Sequence, residues 1–387
     1  MEGIHASVSL AHPALQTLSV PLQTSPCTVV ISSSRGTRVR HDTAVQRHFD
    51  DLNERNEQTV ATETARTRIT QYWHPVASVD EITAQPQRIT LLGRHLAVFR
   101  TDDGIHALND VCIHRGAALS RGWVENGQLV CPFHGWQYDG SGMCTRIPAL
   151  PEGSAIPRAA RVPNYHVAEK YGIVWVALED PVAPIPSYPN GEDTDPEFEE
   201  FFVAKLVWNT SAGRAVENSV DISHFPFVHP HILGDPLHPE VPQYDVHEYD
   251  EGVWYRTHRE GFVPAGQERP GGFTEYRHAF PFSMFLTNAN EDGRISCLGV
   301  FYAPTGPKVT TSFRVVYRNF TPTLERQDEV MQIMEVLDQD RDVLETIRPE
   351  EIPVSLREEL HIRVPDAASI AFRRWIETVD MLDLAPV

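Results

Sequence analysis

The stretch CIHRGAALSRGWVENGQLVCPFH, Cys112 to His134, puts one cysteine and one histidine into each of two short segments, C-x-H and C-x-x-H, with 16 residues between them. Four soft and borderline ligands spaced in this way have to be brought to one point by two loops, which restricts the surrounding fold more than any other feature of the chain. The flanking sequence supplies the loops. RITLLGRHLAVFRTDDGIHALND gives short β-rich runs with Asp102-Asp103-Gly104 where a tight hairpin turn sits, and CPFHGWQYDGSGMCTRIPAL repeats the pattern with Asp139-Gly140 as its turn. YGIVWVAL closes a small antiparallel β domain, and the Pro-rich DPVAPIPSYPN that follows is a linker.

Zinc is the alternative occupant of two cysteines and two histidines. Zinc fingers usually pair Cys with Cys at one end and His with His at the other, whereas here each loop carries one of each. A two-iron, two-sulfide cluster with Cys112 and Cys131 on one iron and His114 and His134 on the other matches that arrangement. Arg115 and Trp136 flank the ligands and supply either charge and N–H groups near the sulfurs or plain hairpin packing. Cys144 and Cys297 have no ligand spacing around them and are expected as buried small hydrophobes. Five cysteines in 387 residues make no disulfide framework, so a reducing compartment, the cytoplasm, is expected. A formal charge of −20 argues against nucleic acid or an anionic membrane surface as partner, since both need excess Lys and Arg, and no run approaches the length of a membrane span.

Residues 1–67 show no sustained hydrophobic period and are expected to be a disordered leader: a flexible extension, a start codon placed too early, or an organelle transit segment. The β domain then spans 68–183, and a second domain spans 196–387. The latter opens with strand-like EFEEFFVAKLVW and a helix over GRAVENSVDISHF, continues with strand-like HAFPFSMFLTN, ISCLGVFYAP and TTSFRVVYRNF, and ends in an acidic helix from about Arg326 to Ile347. That order predicts an α+β fold in which an antiparallel sheet is flanked by helices.

ENSVDISHFPFVH carries a second set of ligands. On a helix Glu217, Asp221 and His224 share one face. His229 would lie about 140° from His224 on an unbroken helix, but Pro226 has no N–H and clashes with the carbonyl of Ile222. A bend or stop there brings His229 back. Two converging histidines suit a non-haem iron, and a carboxylate completes the set. In EVMQIMEVLDQDRDVLETI, Ile333, Leu337, Leu344 and Ile347 form an apolar stripe with Asp340 at its centre, where a buried aspartate without a partner would be costly. Asp340 is preferred over Asp338, and His229 over His231; His238 is expected to be solvated.

C-x-H, 16 residues, then C-x-x-H followed by Gly-Trp resembles the Rieske motif of ring-hydroxylating and demethylating oxygenases. Together with D-x-x-H-x-x-x-x-H at Asp221, His224 and His229 and the late Asp340, the likeness to the oxygenase component of Rieske non-haem iron oxygenases extends over roughly residues 68 to 380. NSVDISHFPFVH, QDRDVLE and the ending HIRVPDAASIAFRRWI are similar to the single-subunit-type members, namely vanillate, dicamba and methylxanthine demethylases and saxitoxin-pathway hydroxylases. The resemblance implies an all-β Rieske domain before a helix-grip-like catalytic domain, and a [2Fe-2S] cluster and Fe(2+) as cofactors. It also implies O2 and a small organic molecule as substrates, and electrons from NAD(P)H through a reductase or ferredoxin. Within a ring-shaped homotrimer, Asp221 would bridge to the partner's His134. The aromatic-rich HAFPFSMFLTN and GVFYAP are expected as pocket wall, and Arg115, Arg121 and Arg146 as the patch that meets the electron donor. The rival reading is a Rieske electron-transfer protein without oxygenase chemistry of its own.

Overall fold

The computed structural model of the chain describes residues 67–258, 271–306, 308–321, 326–353 and 355–380. The expected leader therefore lies outside the described residues, apart from Thr67, which with Arg68 forms strand β1 and pairs in parallel with Val379–Asp380 (β19). The described residues belong to one compact unit, Thr64–Val387. No helix among them is long and apolar enough to cross a membrane.

The first half is built of short antiparallel strands. β3 (Gln87–Leu91), β4 (Arg94–Thr101) and β5 (Gly104–Asn109) form one sheet, and β6 (Trp123–Glu125), β7 (Gln128–Val130), β8 (Gln137–Tyr138) and β9 (Cys144–Arg146) form another. β10 (His166–Lys170) and β11 (Ile173–Ala177) pair with β2 (His74–Ser78) in a third. Asp102-Asp103 makes the β4–β5 turn, with Gly104 at φ 133° where an L side chain would be strained.

The second half is a seven-stranded antiparallel sheet: β12 (Glu199–Trp208), β18 (Val309–Arg318), β17 (Ile295–Gly306), β16 (Ser283–Asn290), β15 (Gly272–Ala279), β14 (Gly252–His258) and β13 (His247–Tyr249), in that spatial order. Among the described residues four helices accompany it: α1 (Ala212–Val220), α2 (Phe225–Val228), α3 (Arg326–Leu344) and α4 (Ala367–Ile376).

Alternation along the strands gives the sheet two apolar faces. Met284, Val300 and Tyr302 pack with α1, Leu337 of α3 and Phe372 of α4. Their sequence neighbours Phe285 and Phe301, together with Phe313 of β18, pack with Tyr171, Ile173 and Trp175 of the first half. Of the aromatic runs expected as pocket wall, only alternate residues therefore face the helices. HAFPFSMFLTN is also not one strand: it straddles the reversal between β15 and β16, because Pro281 has no N–H for a ladder. The Pro-rich connection is held down where the Tyr188 hydroxyl donates to the Val315 carbonyl at 2.7 Å.

The helix expected over GRAVENSVDISHF stops at Val220, before the metal motif. Asp221 has extended backbone (φ −89°, ψ 137°), and its carboxylate accepts the N–H groups of Ser223 and His224, offering the chain a turn in place of another helical bond. Asp221 and His224 are thus joined by a turn, and Pro226 sits in the first turn of α2 where its missing N–H costs nothing.

Candidate metal centres

Two loops of the same shape form the first centre. Gly116 N–H donates to the Cys112 carbonyl (2.8 Å) and Gly135 N–H to the Cys131 carbonyl (3.0 Å), while each cysteine's own N–H bonds back to Ala117 or Trp136. Gly116 and Gly135 close the loops at φ 74° and 69°, left-handed values that favour glycine. Both thiols are buried and both imidazoles exposed. The rings of His114 and His134 lie 4.5 Å apart, and His114 stacks on Trp136. Burial pushes the Cys131 thiol up, and the amides of Phe133 and His134 aimed at its sulfur oppose that.

Two supports of this centre were not foreseen from the sequence. The Tyr138 hydroxyl lies 3.1 Å from the Cys112 sulfur. Asp110, buried, accepts from Ser120 and from Arg88 Nε and fixes the base of the first loop. Arg115, Arg121 and Arg146 are exposed, with no ion pair among the described residues. Cys144 and Cys297 are buried, free thiols.

The second centre lies between the Asp221–His229 segment and α3. One ligand atom each from His224, His229 and Asp340 falls within 4.8 Å of the others, the only such set among the described residues. His229 Nε2 is 3.0 Å and His224 Nε2 3.4 Å from the same Asp340 oxygen. The opposite ring nitrogens are engaged: His224 Nδ1 with Asp221 Oδ2 at 2.9 Å, and His229 Nδ1 with Gln339 Oε1 at 2.8 Å. Each Nδ1 therefore holds its proton against a fixed acceptor, and each Nε2 is left pointing at Asp340, the position where a metal would take the proton's place. Burial would lower the His224 pKa, but Asp221 and Asp340 outweigh it and push it up to about 9. Burial would raise that of Asp340, and the two imidazoles instead hold it well below the usual carboxylate range.

A buried carboxylate that gathers two imidazole Nε2 atoms, with no lysine or arginine bonded to it among the described residues, fits a divalent cation, which would take the place of the imidazole protons there. The alternates stand apart. His231 is exposed in the left-handed region at φ 65°, and His238 is also exposed. Asp338 pairs with Arg341 at the surface. Gln339 escaped the sequence reading because, one residue before Asp340, it belongs to no apolar or ionisable pattern.

Residues 72–168 match the Rieske [2Fe-2S] domain family, and residues 208–379 match the vanillate O-demethylase oxygenase C-terminal domain. The chain belongs to the Rieske non-haem iron oxygenases. Methylxanthine N3-demethylase NdmB of Pseudomonas putida is 33% identical over 80% of this chain and 89% of its own length. The structure of Pseudomonas putida NdmA with caffeine superposes with a TM-score of 0.72 at 29% identity, over 80% of this chain and 90% of that one. Dicamba monooxygenase, at 24% identity and a TM-score of 0.68, shares the fold. The chain is accordingly a terminal oxygenase that carries a [2Fe-2S] cluster and Fe(2+). It uses O2 and electrons from a reductase or ferredoxin to hydroxylate or demethylate a small organic molecule. Its oxygenase domain sets aside the reading as a pure electron-transfer protein.

Proposed function

We propose that Cys112 and Cys131 hold one iron of the cluster and His114 and His134 the other, and that His224, His229 and Asp340 hold the mononuclear Fe(2+). The observation that carries this reading is the convergence of two Nε2 atoms and one buried carboxylate oxygen on a single point, in a chain that also folds the paired cysteine–histidine loops. When bound, the iron supplies activation of O2 for insertion of one oxygen atom into a C–H bond. Asp221 and Gln339 hold the imidazoles in the required tautomer and direction, and the apolar residues around α1 and α3 limit water at the site. The domain division at 68–183 and 196–387 is part of the same proposal, as is a cytoplasmic setting that keeps the thiols reduced.

The working form is a head-to-tail homotrimer in which Asp221 bridges to the partner's His134. Exposed apolar residues at two places on one chain support it. Ile113 and Phe133 (61% exposed) flank the cluster ligands, and Phe227 follows His224 in α2. A heterologous contact between such places closes into a ring of three where each copy is turned a third of a revolution from the next. Hydroxylation of a methyl group bonded to N or O would give a product that breaks down to formaldehyde and the free N–H or O–H, so both product types are expected readouts. The methylxanthine relatives make caffeine and theobromine the first compounds to test. With NADH and a generic reductase–ferredoxin pair, a compound that is a substrate should drive O2 uptake and give a hydroxylated or demethylated product by mass spectrometry. A His224→Ala protein that turned over at the same rate would sink the iron assignment.

A further inference from the structure

The carboxylate proposed to reach the partner's cluster is already fully occupied within its own chain. Asp221 Oδ1 accepts from Ser223 N–H at 2.9 Å and from the Ser223 hydroxyl at 2.5 Å. Asp221 Oδ2 accepts from His224 N–H at 3.1 Å and from His224 Nδ1 at 2.9 Å. An ionised carboxylate offers about four lone-pair directions, and four donors fill them. The side chain is nevertheless reachable, since about a quarter of it is exposed (23%). An imidazole N–H from another chain can bond to it strongly only by replacing one of these four donors.

Three of the four cannot move without cost. The two amides are fixed by the backbone turn that ends α1, and releasing either would leave an N–H unpaired beside a half-buried carboxylate. The His224 Nδ1–H bond sets the tautomer that leaves Nε2 free for the metal. Only the Ser223 hydroxyl turns on a free side-chain torsion, and half-exposed as it is, it can bond to water instead.

We propose that Ser223 is a positioning residue of the electron bridge: its hydroxyl caps Asp221 Oδ1 in the separate chain and yields that lone pair to the partner's imidazole on assembly. The hydroxyl thereby satisfies the carboxylate before docking and competes with the bridge after it. Its loss strengthens the bridge. This inference rests on the bridging reading given above, and the experiment separates the two.

The measurement is the midpoint reduction potential of the Rieske cluster at fixed pH in assembled, cluster-loaded protein, without substrate. A carboxylate bonded to a ligating imidazole makes that ligand more electron-rich and lowers the cluster potential. Asp221→Asn is therefore expected to raise the potential. Ser223→Ala should move it the opposite way and shift dissociation of the assembly to roughly tenfold lower protein concentration. Ser223→Thr, which restores a hydroxyl, should match the wild type on both readouts. A Ser223→Ala potential that stays put or rises, while Asp221→Asn raises it, would overturn the competition and leave the bridge standing. An Asp221→Asn protein with the wild-type potential would remove the bridge and the competition with it.

Discussion

Asp340 is only 7% exposed, and burial alone would favour its neutral form; two imidazole nitrogens reverse that preference and keep it ionised. The same argument predicts how single substitutions divide between the centres. His224→Ala, His229→Ala and Asp340→Ala are expected to lose the mononuclear iron and all turnover while keeping the visible Rieske chromophore. Cys112→Ala, His114→Ala, Cys131→Ala and His134→Ala should lose the chromophore instead. Metal analysis beside absorption and low-temperature paramagnetic resonance checks both sets, and iron retained in Asp340→Ala but lost in Asp338→Ala would move the ligand by half a turn of α3. Gln339→Ala should weaken iron binding by about tenfold to a hundredfold, since it frees the His229 ring to rotate.

Helix α1 is the element on which the iron site depends, because Asp221 begins where it ends. Ser211 caps its start, the Tyr255 hydroxyl donates to the Val220 carbonyl at its end (2.9 Å), and the Tyr302 hydroxyl meets Ser219 at 2.6 Å. Its middle is held by a buried ionic set. Arg373 of α4, 1% exposed, bonds to Glu217 and Glu359, and Arg214 reaches the same two carboxylates. Glu217→Ala takes one partner from two buried guanidinium groups and is expected to cost about 3 kcal/mol, whereas Tyr255→Phe removes one hydrogen bond and should cost about 1 kcal/mol. Urea unfolding of the two variants tests the ranking, and equal small losses would show that Glu359 alone satisfies both arginines.

Across the whole molecule, two histidines set the response to acid. His74 and His278 are buried and neutral, with pKa values lowered by burial to about 4 and about 3 from an ordinary 6.5. Below pH 6.5 the unfolded chain takes up protons that the folded one refuses, so their share of stability is complete above that pH. It drains away as pH falls toward 4 and 3, by about 3 kcal/mol or more for each. Urea midpoints should drop steeply between pH 6.5 and 4, and less steeply in His278→Gln; a flat profile would contradict the buried neutral state. The donor surface is the other molecular-scale property. The chain carries a net charge of −20, so an acidic ferredoxin has to meet a local basic patch, and Arg115, Arg121 and Arg146 are exposed beside the cluster loops. Reversing these charges is expected to slow electron entry and to weaken its salt dependence, whereas rates unmoved by either change would place the donor elsewhere.

Sequence spacing by itself determined the pairing of cysteine with histidine in each loop, the hairpin turns at Asp102-Asp103 and Asp139-Gly140, the antiparallel strands of the second half, and the late helix with Asp340 on its apolar stripe. Each of these is local: ligand order, turn chemistry and side-chain period act within a few residues. Tertiary structure decided the rest. Nothing in ENSVDISHF says that the helix ends at Val220, because its usual period runs on through His224; a tyrosine from β14 and the Asp221 carboxylate satisfy the chain end there. Nor does any spacing connect Gln339 to His229 or Tyr138 to Cys112, partners 110 and 26 residues apart. Such contacts come from packing elements distant in sequence, and it is packing that turned two histidines and an aspartate into one place able to hold a metal.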